Sequence, residues 1–323
     1  MLLALIEVLV VLIPVLITVA YVTLLERKVL ASMQRRVGPN SVGVFGILQP
    51  FSDALKLLVK EIVVPQQAHR TLFCLGPSIT LISALLGWAI IPFGTSLVIS
   101  DIQLGWLFYL AVASLGIYGV IFGGWAGNSV YNLLGGIRST AHMISYELVL
   151  GGSALAALIL ASSFNFISII ESQSSIWFAV PLIPVFLIFL ISGLAEVNRT
   201  PFDLVEAESE LVGGFFTEYS GFLFVFYFLG EYSNIALIST IAASLWLGGY
   251  LLPGSFAIIS GIIIGIKSLL LIFSIIWIRG TLPRLRFDQL MDLNWKILLP
   301  VVFALITLMI SIYIILLLSC YIT

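Results

Sequence analysis

Residues Leu2 to Leu25 read LLALIEVLVVLIPVLITVAYVTLL, a stretch with one charge, Glu7, and one proline, Pro14. A helix rises about 1.5 Å per residue and the hydrocarbon core of a bilayer is roughly 30 Å thick, so this run is long enough to cross it. It lacks the basic start and small-residue cleavage site of a secretory signal, and it reads as a retained first span.

Working outward, similar apolar runs extend approximately over Thr71 to Pro92, Leu104 to Gly124, Ile137 to Ala161, Ile176 to Ala195, Tyr219 to Leu247, Leu251 to Ile278 and Ile297 to Tyr321. The pattern predicts an all-α, polytopic transmembrane helix bundle of about eight spans; the join near Gly248 to Pro253 leaves seven or nine open. Composition agrees, since 61% of the residues are hydrophobic and 9% are charged, against roughly 25% charged in a soluble domain. A single integral membrane domain over residues 1–323 is expected. The near balance of 14 basic and 16 acidic residues gives no sign of a nucleic-acid partner.

Charge placement is lopsided. Thirteen of the fourteen Lys and Arg residues fall in the loops after odd-numbered spans, and the remaining one, Lys267, lies inside the seventh. Cations are retained on the cytoplasm-like side, so both termini are expected on the opposite, translocated side. The basic side carries two long segments, 26–70 and 196–218. Within the first, residues 45–62 become amphipathic, with Phe51, Leu55, Leu58 and Ile62 on one helical face and Asp53, Lys56 and Lys60 on the other. This helix either lies on the membrane surface among the lipids or packs on its own protein. Glycines at helix-packing spacing, Gly119, Gly123 and Gly127, then Gly261 and Gly265, predict close helix contacts.

Cys74 and Cys320 are too few for an iron–sulfur cluster, and His69 and His142 do not form a haem-ligand pair at helical spacing. There is no GxGxxG fingerprint and no Walker loop. No metal site and no redox cofactor are expected on this chain, so any electron transfer needs a cofactor brought by a partner.

A charge at the centre of a bilayer costs about 2.5 to 3.5 kcal/mol on the insertion scale. Glu147, Glu231 and Lys267 within spans, and Glu196 at the end of one, are therefore candidates for a proton route, with a structural ion pair or a neutral acid as the plainer reading of each. The loop from Glu196 to Glu218 holds Glu196, Asp203, Glu206, Glu208, Glu210 and Glu218 against Arg199 alone. Crowded carboxylates beside a buried acid suit proton exchange. Glu26, Arg27, Arg35 and Arg36, with Arg279, Arg284 and Arg286, mark the same membrane face. Their plain role is topological; the sharper one is a charged mouth that orients a polar headgroup while its lipid tail lies among side chains such as Phe51 and Phe228.

Two strings, Gly46-Ile-Leu-Gln49-Pro50-Phe-Ser-Asp53-Ala-Leu-Lys56-Leu-Leu-Val-Lys60-Glu61 and Pro201-Phe202-Asp203-Leu-Val-Glu206-Ala-Glu208-Ser-Glu210-Leu-Val-Gly213-Gly214, resemble the signatures of the subunit 1 family of NADH:ubiquinone oxidoreductase, respiratory complex I. Shorter matches run from Glu26-Arg-Lys to Pro283-Arg-Leu-Arg-Phe-Asp-Gln-Leu290 and cover most of the chain. The resemblance implies a membrane-arm subunit of a proton-translocating oxidoreductase, with ubiquinone as bound substrate, and flavin and iron–sulfur clusters on partner subunits only. It implies that Glu26, Arg27, Arg36, Asp53 and Arg279 lie near the quinone entry, and that the acidic loop with Glu147, Glu196 and Glu231 links it to proton-conducting groups. Its partners would be the hydrophilic-arm quinone-site subunits and small membrane-arm subunits. The compact, very apolar chain points to the mitochondrial inner membrane, with both termini in the intermembrane space, ahead of a bacterial plasma membrane.

Two other classes compete. A proton-coupled secondary transporter would show internal repeats, and none is evident between the halves. A plain membrane anchor would leave the buried Glu and Lys residues without a purpose.

Overall fold

The computed structural model describes residues 2–94, 97–203, 213–251 and 260–322. Among them the chain is all-α, with no strand. Seven helical segments are long and apolar enough to cross a membrane. We number the helices α1 (Leu2–Met33), α2 (Gln49–Val59), α3 (Arg70–Leu86), α4 (Gly105–Ala126), α5 (Val130–Ala161), α6 (Phe166–Ser172), α7 (Ile183–Glu196), α8 (Gly221–Trp246), α9 (Ser260–Thr281), α10 (Phe287–Asp292) and α11 (Leu299–Ile322). A π-helical turn over Leu293–Leu298 joins α10 to α11.

The fifth apolar run, expected from Ile176, becomes helical only at Ile183. Pro181 disfavours the helical conformation in the residue before it, and Pro184 is tolerated only in a first turn. The result is a 14-residue helix in place of a full-length span. In contrast, α1 continues beyond its apolar run to Met33, because no glycine or proline interrupts Glu26 to Met33. Those eight residues extend the helix by roughly 12 Å and carry Glu26, Arg27 and Lys28 on a rigid rod instead of a loop.

The amphipathic segment forms α2. Its apolar side chains Phe51, Leu55 and Leu58 remain exposed, as does Ile62 just beyond it. That face is not covered by the protein's own core and suits a membrane surface, while the opposite side of α2 meets α1 and α8.

Where helices pack tightly, small residues permit it. A Cβ on Gly119 would lie 2.8 Å from the Gly76 carbonyl oxygen and 3.0 Å from the Thr80 nitrogen, so α3 and α4 meet backbone to backbone. Gly265 differs from the expectation: nothing lies within 4 Å of where its Cβ would be. It borders an apolar crevice of about 670 Å³ between α1 and α9. Around Trp106, Trp246, Tyr146 and Phe189, all nearly inaccessible, α4, α5, α7 and α8 form the main core.

Candidate functional site

The site begins at the basic end of α1. The Arg27 guanidinium donates to an Asp53 carboxylate oxygen at 2.7 Å, and the Gln49 side-chain amide donates to the other at 3.0 Å. The Lys28 ammonium donates to the Phe45 carbonyl at 2.5 Å. These bonds fasten the segment leading into α2, and α2 itself, against α1. Between α1, α2 and α8 lies a cavity of about 300 Å³, with Arg27, Asp53 and Lys56 on its polar side and Phe224, Val225 and Phe228 on its apolar side. The Arg27–Asp53 pair is 48% and 37% exposed, so screening leaves it worth about 0–1 kcal/mol of stability.

One residue back on α1, Glu26 faces inward and is 4% exposed. Its carboxylate accepts a hydrogen bond from the Tyr232 hydroxyl at 2.5 Å and is ion-paired with Arg279. The Tyr232 ring in turn lies under the Arg199 guanidinium, 4.7 Å from the ring centre, and Arg199 reaches Glu231 at 3.8 Å. Phe228, on the cavity wall, packs against Tyr232 with ring centres 4.6 Å apart. Successive side chains on a helix diverge, so Glu231 and Tyr232 address different neighbours. Arg279, Glu26, Tyr232, Arg199 and Glu231 thereby form one connected polar series inside the bundle, which the cavity wall meets at Phe228.

Beyond it, Glu196 and Glu231 both line a largely apolar cavity of about 60 Å³, whose other polar groups include Asn198, Asn234, Tyr109 and Tyr227. Spaces of about 10–15 Å³ suffice for a water, so this one has room for a few. Glu196 is buried, and its Oε2 atom has no hydrogen-bond partner among the described residues. Glu147, half-buried on α5, is close enough to Glu196 and Tyr109 to act on both electrostatically.

The acidic loop is anchored on both sides. At its start, the buried Asp203 accepts from Arg284 at 3.0 Å, and the Leu285 amide donates to the Pro201 carbonyl at 3.0 Å. At its end, Tyr219 stacks on Phe73 with ring centres 4.1 Å apart, and burial pushes the Tyr219 hydroxyl pKa up to about 12. Glu206, Glu208 and Glu210 lie outside the described residues.

Of the residues picked out by sequence, Arg27, Asp53 and Phe228 line the cavity of about 300 Å³, Glu26 and Arg279 pair with each other behind it, and Glu147, Glu196 and Glu231 gather further in. Phe51 stays exposed on α2 with its ring 6.3 Å from that of Tyr21. Arg36 is exposed, and its guanidinium donates to the Gln34 side chain at 2.7 Å. Lys267 forms no ion pair with an acid among the described residues and is directed at backbone carbonyls. Sequence reasoning misses Tyr232 and the residues of the small cavity, Tyr109, Asn198, Tyr227 and Asn234. The only local sign of Tyr232 is a hydroxyl-bearing ring next to an intramembrane acid.

A family model described as NADH dehydrogenase matches residues 6–310. The chain is 53% identical over 317 residues to NADH-ubiquinone oxidoreductase chain 1 of Mycosarcoma maydis, covering 96% of each. It is 51% identical over 290 residues to an NADH-quinone oxidoreductase subunit of Magnetococcus marinus, covering 89% of this chain and 84% of that one. Similarity to NADH-ubiquinone oxidoreductase chain 1 of Yarrowia lipolytica is 48% over 321 residues, 94% of each chain.

Proposed function

Because the chain belongs to the NADH dehydrogenase family, and so is a multi-pass membrane subunit of the NADH–quinone oxidoreductase complex, respiratory complex I, we propose that it forms one side of the ubiquinone chamber and couples quinone reduction to proton movement. The carrying observation is the packing of Phe228, on the recess wall, against Tyr232, a member of the polar series that runs on to Glu231: it joins a lipophilic recess with a polar rim to the intramembrane carboxylates.

The recess suits an amphiphile. Phe224, Val225 and Phe228 offer an apolar wall for a lipid tail, whereas Arg27 and Asp53 at the rim can orient a polar headgroup. Electrons reach the quinone from flavin and iron–sulfur clusters on partner subunits, chiefly the hydrophilic-arm subunits that complete the chamber, with small membrane-arm subunits packed alongside. A charge change at the headgroup acts first on Arg27 and Asp53 and, through Phe228 and Tyr232, on Glu26 and Arg279. Arg199, held between the Tyr232 ring and Glu231, then redistributes its favourable interaction between them. Glu231, Glu196 and Glu147 take up or release protons in response, and the loop from Asp203 to Glu210 adjusts with Arg284 as its tether. Each step needs only a difference in electrostatic energy between two states.

The basic face corresponds to the matrix side of the mitochondrial inner membrane, where the redox partner docks, and both termini lie in the intermembrane space.

Replacing Phe228 with Trp to fill the recess tests the quinone half in the intact complex. The expected outcome is a KM for quinone raised about tenfold, near 1.4 kcal/mol, with NADH oxidation by a water-soluble acceptor unchanged. An unaltered KM and inhibitor sensitivity would remove the recess from the quinone path.

A further inference from the structure

His142, on α5, is inaccessible to solvent, and its Nδ1 atom lies 3.1 Å from the side-chain oxygen of Asn198. An amide oxygen only accepts, so Nδ1 carries the hydrogen and donates it. The other ring nitrogen, Nε2, is enclosed and has no hydrogen-bond partner among the described residues. A second N–H there would be a buried donor without an acceptor, so the geometry is that of the neutral ring. Tyr146 and Phe202 pack against the imidazole, with ring centres 4.7 and 6.2 Å away, and the Tyr146 hydroxyl is itself tied to the Leu290 carbonyl at 3.2 Å. Packing therefore fixes the direction in which the Nδ1–H bond points.

Asn198 follows the end of α7 with a φ of 53°, a left-handed conformation that asparagine tolerates better than most side chains. Asn198 lines the cavity shared by Glu196 and Glu231, whereas His142 is not on its wall. With the amide oxygen held by His142, the amide nitrogen is the end left for the cavity, and it donates to no group among the described residues. The acceptor without a partner there is the Glu196 Oε2 atom. An N–H presented to a carboxylate, directly or through a water, favours the charged form; an amide turned the other way would present its oxygen and favour the protonated form.

We propose that His142 is a positioning residue: its Nδ1–H holds the Asn198 amide with the NH2 group toward the acid cavity, and so sets the pH at which Glu196 exchanges its proton. His142 acts through Asn198 and relays no proton itself. This inference rests on the proton-handling reading of the acids.

The test measures protons moved per electron against pH, with the whole complex in sealed proteoliposomes. His142→Leu removes the donor and leaves an apolar side chain between the rings; His142→Asn puts an amide N–H where Nδ1–H stands and cannot titrate. The Leu profile is expected to move about one unit to higher pH, about a tenfold rise in proton affinity, and the Asn profile to coincide with wild type. Asn198→Gly keeps the left-handed backbone and removes the amide, so it should move the profile as Leu does, with no further shift in the double variant. The other titratable or charged groups around the cavity, Glu147 on α5, Tyr109 on α4, Glu231 and Tyr227 on α8, and Arg199 beside Glu231, are the same in every variant. A Leu profile reduced in height but unmoved along the pH axis would overturn the proposal, since a packing role predicts that result. An Asn profile that follows Leu would overturn it too, because titration of the imidazole would then be the cause. Should the Leu complex not assemble, an unmoved Asn198→Gly profile overturns it equally. Glu196→Gln separates the two levels: normal pumping would refute the proton role of that acid and the proposal with it, whereas reduced pumping beside an unmoved Leu profile would refute the positioning alone.

Discussion

The Tyr232 hydroxyl and the Glu26 carboxylate, 206 residues apart in sequence, share a 2.5 Å hydrogen bond inside the bundle. The bond joins the basic end of α1 to the middle of α8 and places an aromatic ring between two arginines. Tyr232→Phe removes the hydroxyl and keeps the ring under Arg199. Hydrogen bonds to charged groups are worth about 1.5–3 kcal/mol. The variant complex is expected to assemble, to retain NADH oxidation by a soluble acceptor, and to lose quinone-dependent turnover. Steady-state assays with the two acceptors in parallel measure the split; equal turnover in both would detach Tyr232 from coupling.

Glu26 and Arg279 form a pair that is largely withdrawn from solvent, with side chains 6% and 24% exposed. Removing one member of such a pair leaves an uncompensated charge, at a cost of about 3–5 kcal/mol. Arg279→Met is therefore expected to lower the yield of assembled complex sharply, and Glu26→Gln combined with Arg279→Met to recover part of it. Assembly on native gels, read as a double-mutant cycle, checks this; additive losses would show that the two residues act independently.

The exposed pair at the mouth behaves differently. Arg27→Gln should change thermal stability by less than about 1 kcal/mol, yet raise the KM for quinone if, as proposed, the guanidinium orients the headgroup. Raising ionic strength in the wild type should move KM in the same direction, since screening acts on exposed charges over about 8–10 Å. A stability loss without a KM change would make the pair a scaffold only.

Glu147→Gln and Glu231→Gln, made separately, are expected to lower the number of protons moved per electron while electrons still reach quinone. Both side chains keep their shape and lose their titratable proton. Unchanged stoichiometry and turnover in both complexes would exclude the glutamates from the proton route.

Two glycines separate tight packing from open space. Gly119→Ala forces a methyl group against the Gly76 carbonyl, and overpacking of this kind costs about 1–3 kcal/mol. Gly265→Ala meets nothing within 4 Å and should be neutral or slightly stabilising, as alanine is the better helix former. Thermal midpoints of the two variant complexes provide the comparison.

The helical class and the approximate place of most spans are legible because the bilayer acts on the chain locally, through run length and the cost of each charge. Glu26, Arg27 and Arg279 on the basic face, and Glu147, Glu196 and Glu231 beside or within spans, stand out because charge next to apolar helices is conspicuous in one dimension, whereas Asp53 is singled out by the family resemblance. The short α7 was also written in the sequence, in Pro181 and Pro184, but an apolar window overlooks the prolines. Gly265 shows the converse: spacing that permits close contact does not supply a neighbour.

The sequence alone determined a polytopic membrane helix bundle with one strongly basic face and the two strings that mark its family. Only the tertiary structure decided which charges meet. Glu26 and Arg279 are 253 residues apart, and no local periodicity reports a contact of that range. Lys267, read along the chain as a fellow of the intramembrane acids, turned instead to carbonyls in the turn just past the end of a neighbouring helix. The physical reason is the same for both: solvent preference acts residue by residue along the chain, whereas partner choice depends on how the helices pack and on which backbone groups that packing leaves to be satisfied.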